Sequence, residues 1–183
     1  MTETDIQSLR GLVNDREPYA VVGAAISTLS NWDAPGNRDV FRKATKLASP
    51  ADRIRLLALD GLAKADAAEG IVSDPNPQRT QTLMRFLSDR AHGVLNSPVM
   101  AARQRAFTAS QPKINAMVAG FLQNLESFVP LACDDVKARG IEKSGERIRY
   151  LCLYKMITGH QVMYFQFFLT EEGKVAAVDT LPL

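Results

Sequence analysis

The side chains best suited to acid–base, nucleophilic or metal chemistry in this 183-residue chain are few: His92, His160, Cys133 and Cys152, with the acidic pairs Asp134-Asp135 and Glu171-Glu172. Zinc sites draw on cysteine and histidine at short, regular spacing. The two cysteines form no Cys-x-x-Cys and lie far from either histidine, so they read as two free thiols or one disulfide and not as a metal centre. His160 follows Gly159 in an expected turn, and a general base needs an orienting partner that the neighbouring sequence does not supply. His92 lies in an otherwise apolar helical stretch and reads as a partly buried packing residue. Asp134-Asp135 offers too few oxygens for a calcium cage of about 6–8 ligands. Glu171-Glu172 reads as a solvated hairpin tip. The stretch GIEKSGE lacks the spacing of a phosphate-binding loop and no Gly-x-Ser-x-Gly elbow occurs, so no cofactor and no complete catalytic motif are expected.

One further group has the right chemistry for a binding site. Tyr150, Tyr154 and Tyr164 would line a ligand pocket on a concave sheet, with Asp134 or Asp135 nearby, if all three shared a face. The alternative, an aromatic core whose hydroxyls reach the rim, is the more economical reading of the same residues.

The elements that would position these residues are legible from periodicity. Ile6, Leu9, Leu12 and Val13 keep helical spacing after Thr2-Glu3-Thr4. A second helix enters through Pro18 with Val21, Ala24, Ala25 and Leu29 as its apolar positions, and Asp33-Ala34-Pro35-Gly36 ends it. A third spans about 37–48, with Val40, Phe41, Ala44 and Leu47. Ser49, Pro50 and Asp52 then form a cap for a fourth helix with Ile54, Leu57, Ala58 and Leu62. Val21, Ala24, Ala25 and Leu29 each recur 33 residues further on as Ile54, Leu57, Ala58 and Leu62, which indicates stacked helix pairs.

Residues 67–78 are small, acidic and proline-bearing and read as a linker, dividing the chain into 1–68 and 78–183. Beyond it, helices are expected around Leu83, Phe86, Leu87 and Val94, then at 98–107 and 111–125. Past residue 126 the period becomes two. RYLCLYKMI is apolar on both sides and reads as a central strand, followed by QVMYFQFFLT and KVAAVDTL. FVPLACDDV, residues 128–136, reads as a fourth strand that Pro130 confines to an edge or an early position. Helices followed by an antiparallel meander give an α+β class.

Two resemblances accompany this pattern. DREPYAVVGAAISTLSNWDAPGNRDVFRKATKLASPADRIRLLALDGLAKAD resembles HEAT-type helical repeats, especially those behind the catalytic domain of bacterial zinc aminopeptidases. The offset is shorter than the ~40–47 residues usual for HEAT repeats and nearer the ~33–34 of ankyrin and tetratricopeptide repeats, whose signatures are absent. YKMITGHQVMYFQFFLTEEGKVAAVDTLPL is similar to the last strands of cystatin-like and nuclear-transport-factor-like cone folds, which implies a curved sheet wrapping a helix. The aminopeptidase resemblance brings no catalysis with it, because His-Glu-x-x-His does not occur here.

The expected function is therefore a non-catalytic interaction or accessory module, of the kind found as the C-terminal part of a bacterial metallo-aminopeptidase-like protein. A small-molecule-binding or hydrolytic domain using the C-terminal sheet is the alternative. Its partner would be a protein or an adjacent domain, or a second copy of the chain. Ile6, Leu9 and Leu12 would be exposed at the end of so short a stack, and Arg53 and Arg55, with Lys64, form either a partner-binding ridge or a solvated face. A net charge of +2, from 22 basic and 20 acidic residues, gives no basic stripe for nucleic acid. No apolar run is long enough to cross a membrane and MTETDIQSLR lacks the order of a secretory signal, so a soluble protein is expected.

Overall fold

The computed structural model describes residues 1–49, 52–71, 74–159 and 161–181. Its architecture is α+β: seven α-helices precede a four-stranded antiparallel sheet. The chain divides into two compact units, residues 1–73 and 74–182, and the division falls inside the stretch whose composition marks a linker.

Unit 1 holds α1 (Glu3–Gly11), α2 (Tyr19–Asp33), α3 (Arg38–Ala44) and α4 (Arg53–Ala68). Thr2 caps α1: its hydroxyl accepts from the Asp5 amide while the Asp5 carboxylate accepts from the Thr2 amide, so two first-turn donors are satisfied reciprocally. Val22, Ile26 and Leu29 of α2 meet Phe41 and Ala44 of α3 and Ile54, Ala58 and Ala65 of α4 in one core. The buried stripe of α2 therefore lies one residue round from the expected one: Val21 and Ala24 face solvent, while Val22, Ala25, Ile26 and Leu29 are covered. Helix packing selects the larger side chains for the core, and the alanine-rich side is left outside. Gly23 stands where a β-carbon would come 3.2 Å from Leu57, and Gly61 where one would come 2.9 Å from the Phe41 ring. The fourth helix becomes regular at Arg53, later than expected. Its N-cap is Asp52, in the left-handed region and without a side-chain cap bond, instead of Ser49, whose hydroxyl accepts from the Ile54 amide at 2.9 Å; Pro50 lies outside the described residues. Arg38 ties α3 to the end of α4 by bonding Asp66 and, at 2.7 Å, Glu69.

Unit 2 begins with α5 (Pro77–Ala91), α6 (Ala102–Ser110) and α7 (Pro112–Gln123). Strands β1 (Leu125–Asp135), β4 (Tyr150–Thr158), β5 (Gln161–Leu169) and β6 (Val175–Leu181) make the sheet in that spatial order. A two-stranded hairpin, β2 (Glu142–Lys143) and β3 (Glu146–Arg147), lies between β1 and β4 in sequence. β1 is an edge strand, where a proline costs no ladder bond on its open side, and β4 is interior. One face of the sheet presents Cys152, Tyr154, Met156, Phe165, Phe167 and Leu169 to Leu83, Phe86 and Leu87 of α5 and Val118 of α7. The helix expected at 98–107 starts at Ala102. Residues 97–100 form a turn and Met100 bridges Val175 of β6, with Val175 donating to the Val99 carbonyl at 2.8 Å and Ala101 donating to the Val175 carbonyl at 2.9 Å. Pairing with a strand wins there over helical propensity, and Pro98 disfavours a helical residue before it.

Candidate functional site

Polar groups of unit 2 converge at the end of the sheet where β4 begins. Asn76 caps α5, its side chain accepting from the Arg79 amide at 3.0 Å, and Pro77 occupies the first helical turn. This fixes the backbone of Arg79 in the first turn of α5. The Arg79 guanidinium lies 4.4 Å from the centre of the Tyr150 ring and donates to Cys133 Sγ at 3.1 Å. A cavity of about 380 Å³ opens beside it, lined by Arg79, Thr82, Val99, Tyr150, Leu169 and Glu171 among others.

Glu171 of the lining belongs to a cluster of paired charges. Arg149 donates from Nε to Asp135 at 2.8 Å and from Nη1 to Glu171 at 3.2 Å, while Lys137 Nζ reaches Glu171 at 3.0 Å. The Lys137 backbone amide, then Arg149, hold the Asp135 carboxyl below its ordinary range, and Lys137, then Arg149, do the same to Glu171. Glu172 pairs with Lys174 across the turn. Glu171 and Glu172 are exposed in the turn between β5 and β6, as expected of a solvated tip, and both are ion-paired and border the cavity.

The three tyrosines do not share one face. Tyr150 and Tyr154 sit opposite Leu169 and Phe165 on the helix-covered side of the sheet, whereas Tyr164 pairs with Lys155 on the other side. Strand parity separates them, since side chains alternate and antiparallel neighbours share a face. Only Tyr150 lines the cavity. Tyr154 is buried, stacked on Phe128 at 4.6 Å and hydrogen-bonded to Thr80 at 2.9 Å, and burial pushes its phenol up despite that bond. Asp134 and Asp135 are likewise split, standing opposite Leu151 and Tyr150. His92 is exposed and ends α5, its Nδ1 2.8 Å from the Ser88 carbonyl; it is not a packing residue, because the helix stops there. His160 lies outside the described residues. Cys133 and Cys152, which the sequence left open, form a disulfide. Among the described residues no group of three or more His, Cys, Asp or Glu side chains is arranged to hold a metal ion.

Unit 1 offers a surface of a different kind. A groove of about 330 Å³ runs between α2 and α4, lined by Tyr19, Ala20, Gly23, Ala24, Ser27, Arg53, Ile54 and Leu57. From Tyr19 to Trp32 the helix carries no charged residue. Tyr19, at the start of the helix, is 46% exposed, and on its outer side Val21 is 37% and Trp32 56% exposed, with Thr28 and Asn31 exposed between them. Of the expected surface residues, Arg53 borders this groove, while Ile6 and Leu9 pack half-buried against the unit's core and Leu12 is half-buried at the end of α1. The first helix covers the stack rather than leaving it open. Arg55 is half-buried, and Lys64 bonds Asn31 at 2.9 Å.

No protein-family model, curated protein or solved structure matches this chain. Among the described residues no helix is long and apolar enough to cross a membrane.

Proposed function

We propose that the chain is a non-catalytic interaction module that docks an apolar helix of a partner protein or adjacent domain on the outer side of α2. One observation carries this reading. α2 has only one side covered within its unit and carries no charge from Tyr19 to Trp32, so its outer side, where Val21, Ala24 and Trp32 stand with Thr28 and Asn31, is free of the charged residues that usually face water. Ala20 and Ala24, one turn apart, would let a second helix approach closely, with Tyr19, Val21 and Trp32 as flanking anchors. Burial of such side chains is worth about 25 cal/mol per Å² before the cost of association. The stacked helix pairs and the resemblance to aminopeptidase appendages belong to the same proposal, in which this face meets the neighbouring domain.

Anilinonaphthalene sulfonate tests the face directly. The folded chain is expected to bind the dye, and a Val21→Glu/Ala24→Glu double variant, altered only at exposed positions, is expected to lose that binding with an unchanged melting temperature. Equal dye binding by both proteins, or none by either, would remove the docking face.

A second reading rests on the cavity in unit 2. Arg79 and the Tyr150 ring suit a small ligand with an anionic group on a flat apolar body. Binding fits better than hydrolysis. The Thr82 hydroxyl in the lining is engaged by the helix backbone, donating to the Gln78 carbonyl at 3.0 Å.

A further inference from the structure

Arg79 makes a contact that a purely structural cystine does not need. A neutral disulfide sulfur is a weak acceptor, whereas a thiolate beside a guanidinium is strongly favoured over its thiol. Here Nη1 of a half-buried arginine is directed at Cys133 Sγ at 3.1 Å, with the guanidinium held over the Tyr150 ring. The two sulfurs also differ in access. Cys152 is fully buried in the sheet core on interior strand β4, while Cys133, directly opposite it, is half-buried on edge strand β1. Arg79 and Tyr150, which stand beside Cys133, line the 380 Å³ cavity.

We propose that Cys133 and Cys152 form a redox-active couple in which Arg79 makes Cys133 the reactive sulfur, with hydroperoxides as oxidant and dithiols as reductant. In the oxidising direction the Cys133 thiolate attacks one oxygen of the peroxide, the O–O bond breaks, and the other oxygen leaves as water or an alcohol after taking up a proton. The Cys133 sulfenic acid is then attacked by Cys152, the S–S bond forms and a second water departs. Two thiols lose two electrons and the peroxide gains them. In the reducing direction a thiolate of the dithiol attacks Cys133 Sγ, Cys152 leaves and is protonated, and the second thiol of the reagent attacks the mixed disulfide, freeing Cys133 and leaving the reagent oxidised.

The other charged groups around this corner do not replace Arg79. Asp135 is engaged by Arg149 and Lys137, Asp134 stands in register on the opposite face, and Asp74 acts on the Tyr154 phenol alongside Arg79. Arg149 lies 5.4 Å from the Tyr150 ring centre and bonds two carboxylates.

The test uses the intact chain under native conditions. It is reduced with dithiothreitol, alkylated with iodoacetamide across pH and mapped by mass spectrometry, and separately given hydrogen peroxide with dimedone present. The expected results are reduction without unfolding, alkylation of Cys133 before Cys152, a dimedone adduct on Cys133 and return of the disulfide when dimedone is omitted. Arg79→Gln should slow Cys133 alkylation about tenfold near neutral pH, as a rise of one pKa unit would, with rates converging at high pH. Arg79→Lys should restore most of the rate, and circular dichroism would verify that both variants fold. Resistance of the cystine to dithiothreitol until the chain is denatured, preferential labelling of Cys152, or an Arg79→Gln profile that matches wild type would each overturn the proposal.

Discussion

Unit 1 and unit 2 expose opposite kinds of surface. In unit 1 the charges lie on α1, α3, α4 and the loops, in pairs such as Arg38 with Asp66 and Glu69, and the outer side of α2 is left without any. In unit 2 the sheet is covered on one face by α5 and α7, and charge gathers at the mouth of a cavity, where Arg149 and Lys137 hold Asp135 and Glu171. The first surface is without charge along one helix, and the second is rich in ion pairs. Each follows from which side chains the fold could not bury.

The same contrast extends to the interior, and one substitution at two sites measures it. Truncation of Phe41, fully buried at the centre of unit 1, is expected to have the largest effect: Phe41→Ala should cost about 3–5 kcal/mol, read from denaturant unfolding followed by Trp32 emission, since Trp32 is the chain's one tryptophan. Gly61→Ala should cost about 1–3 kcal/mol despite better helix propensity, because the new methyl would sit 2.9 Å from a Phe41 ring with no room to yield. Gly120→Ala in exposed α7, where a β-carbon meets nothing within 4 Å, should instead stabilise unit 2 by about 0.5–1 kcal/mol. If both glycine variants shifted stability in one direction, the difference in packing between the two helices would be lost.

A smaller effect is expected from pH. The folded-state pKa values of Asp135 and Glu171 are lowered, so these carboxylates stabilise unit 2 above their unfolded pKa values and lose that contribution as pH falls through the folded ones. Titration of the side-chain carboxyl resonances should find both below the ordinary range, and Arg149→Gln should return them toward it. Tyr154 shifts the other way: with its phenol raised by burial, it should stay neutral beyond the ordinary tyrosine range, and ultraviolet absorbance should lose late-titrating amplitude in Tyr154→Phe.

The class and most elements could be read from spacing because periodicity carries them. Alternation in RYLCLYKMI gave β4, and Pro130 pointed to the edge position of β1. What could not be read depends on partners distant in sequence. Val22 rather than Val21 faces the core because α4 lies against Gly23, and α6 starts only at Ala102 because Val99 and Ala101 bond Val175. The tyrosine cluster failed at parity: Tyr150 and Tyr154 are an even number of residues apart on one strand, but only the pairing of β4 with β5 fixes where Tyr164 points. Arg79 left one signal that went unused, the Asn76-Pro77 start of α5, and no local pattern ties it to Cys133, 54 positions away in the chain.

If the outer side of α2 is the proposed docking face, Trp32 on that side reports on it. A second copy of the chain is the partner that a pure solution supplies. Trp32 emission, followed with sedimentation as protein concentration rises, should move to shorter wavelength as mass increases above 20.1 kDa, and Val21→Glu should abolish both changes. Emission that stays at long wavelength while the mass remains that of one chain at every concentration would contradict it.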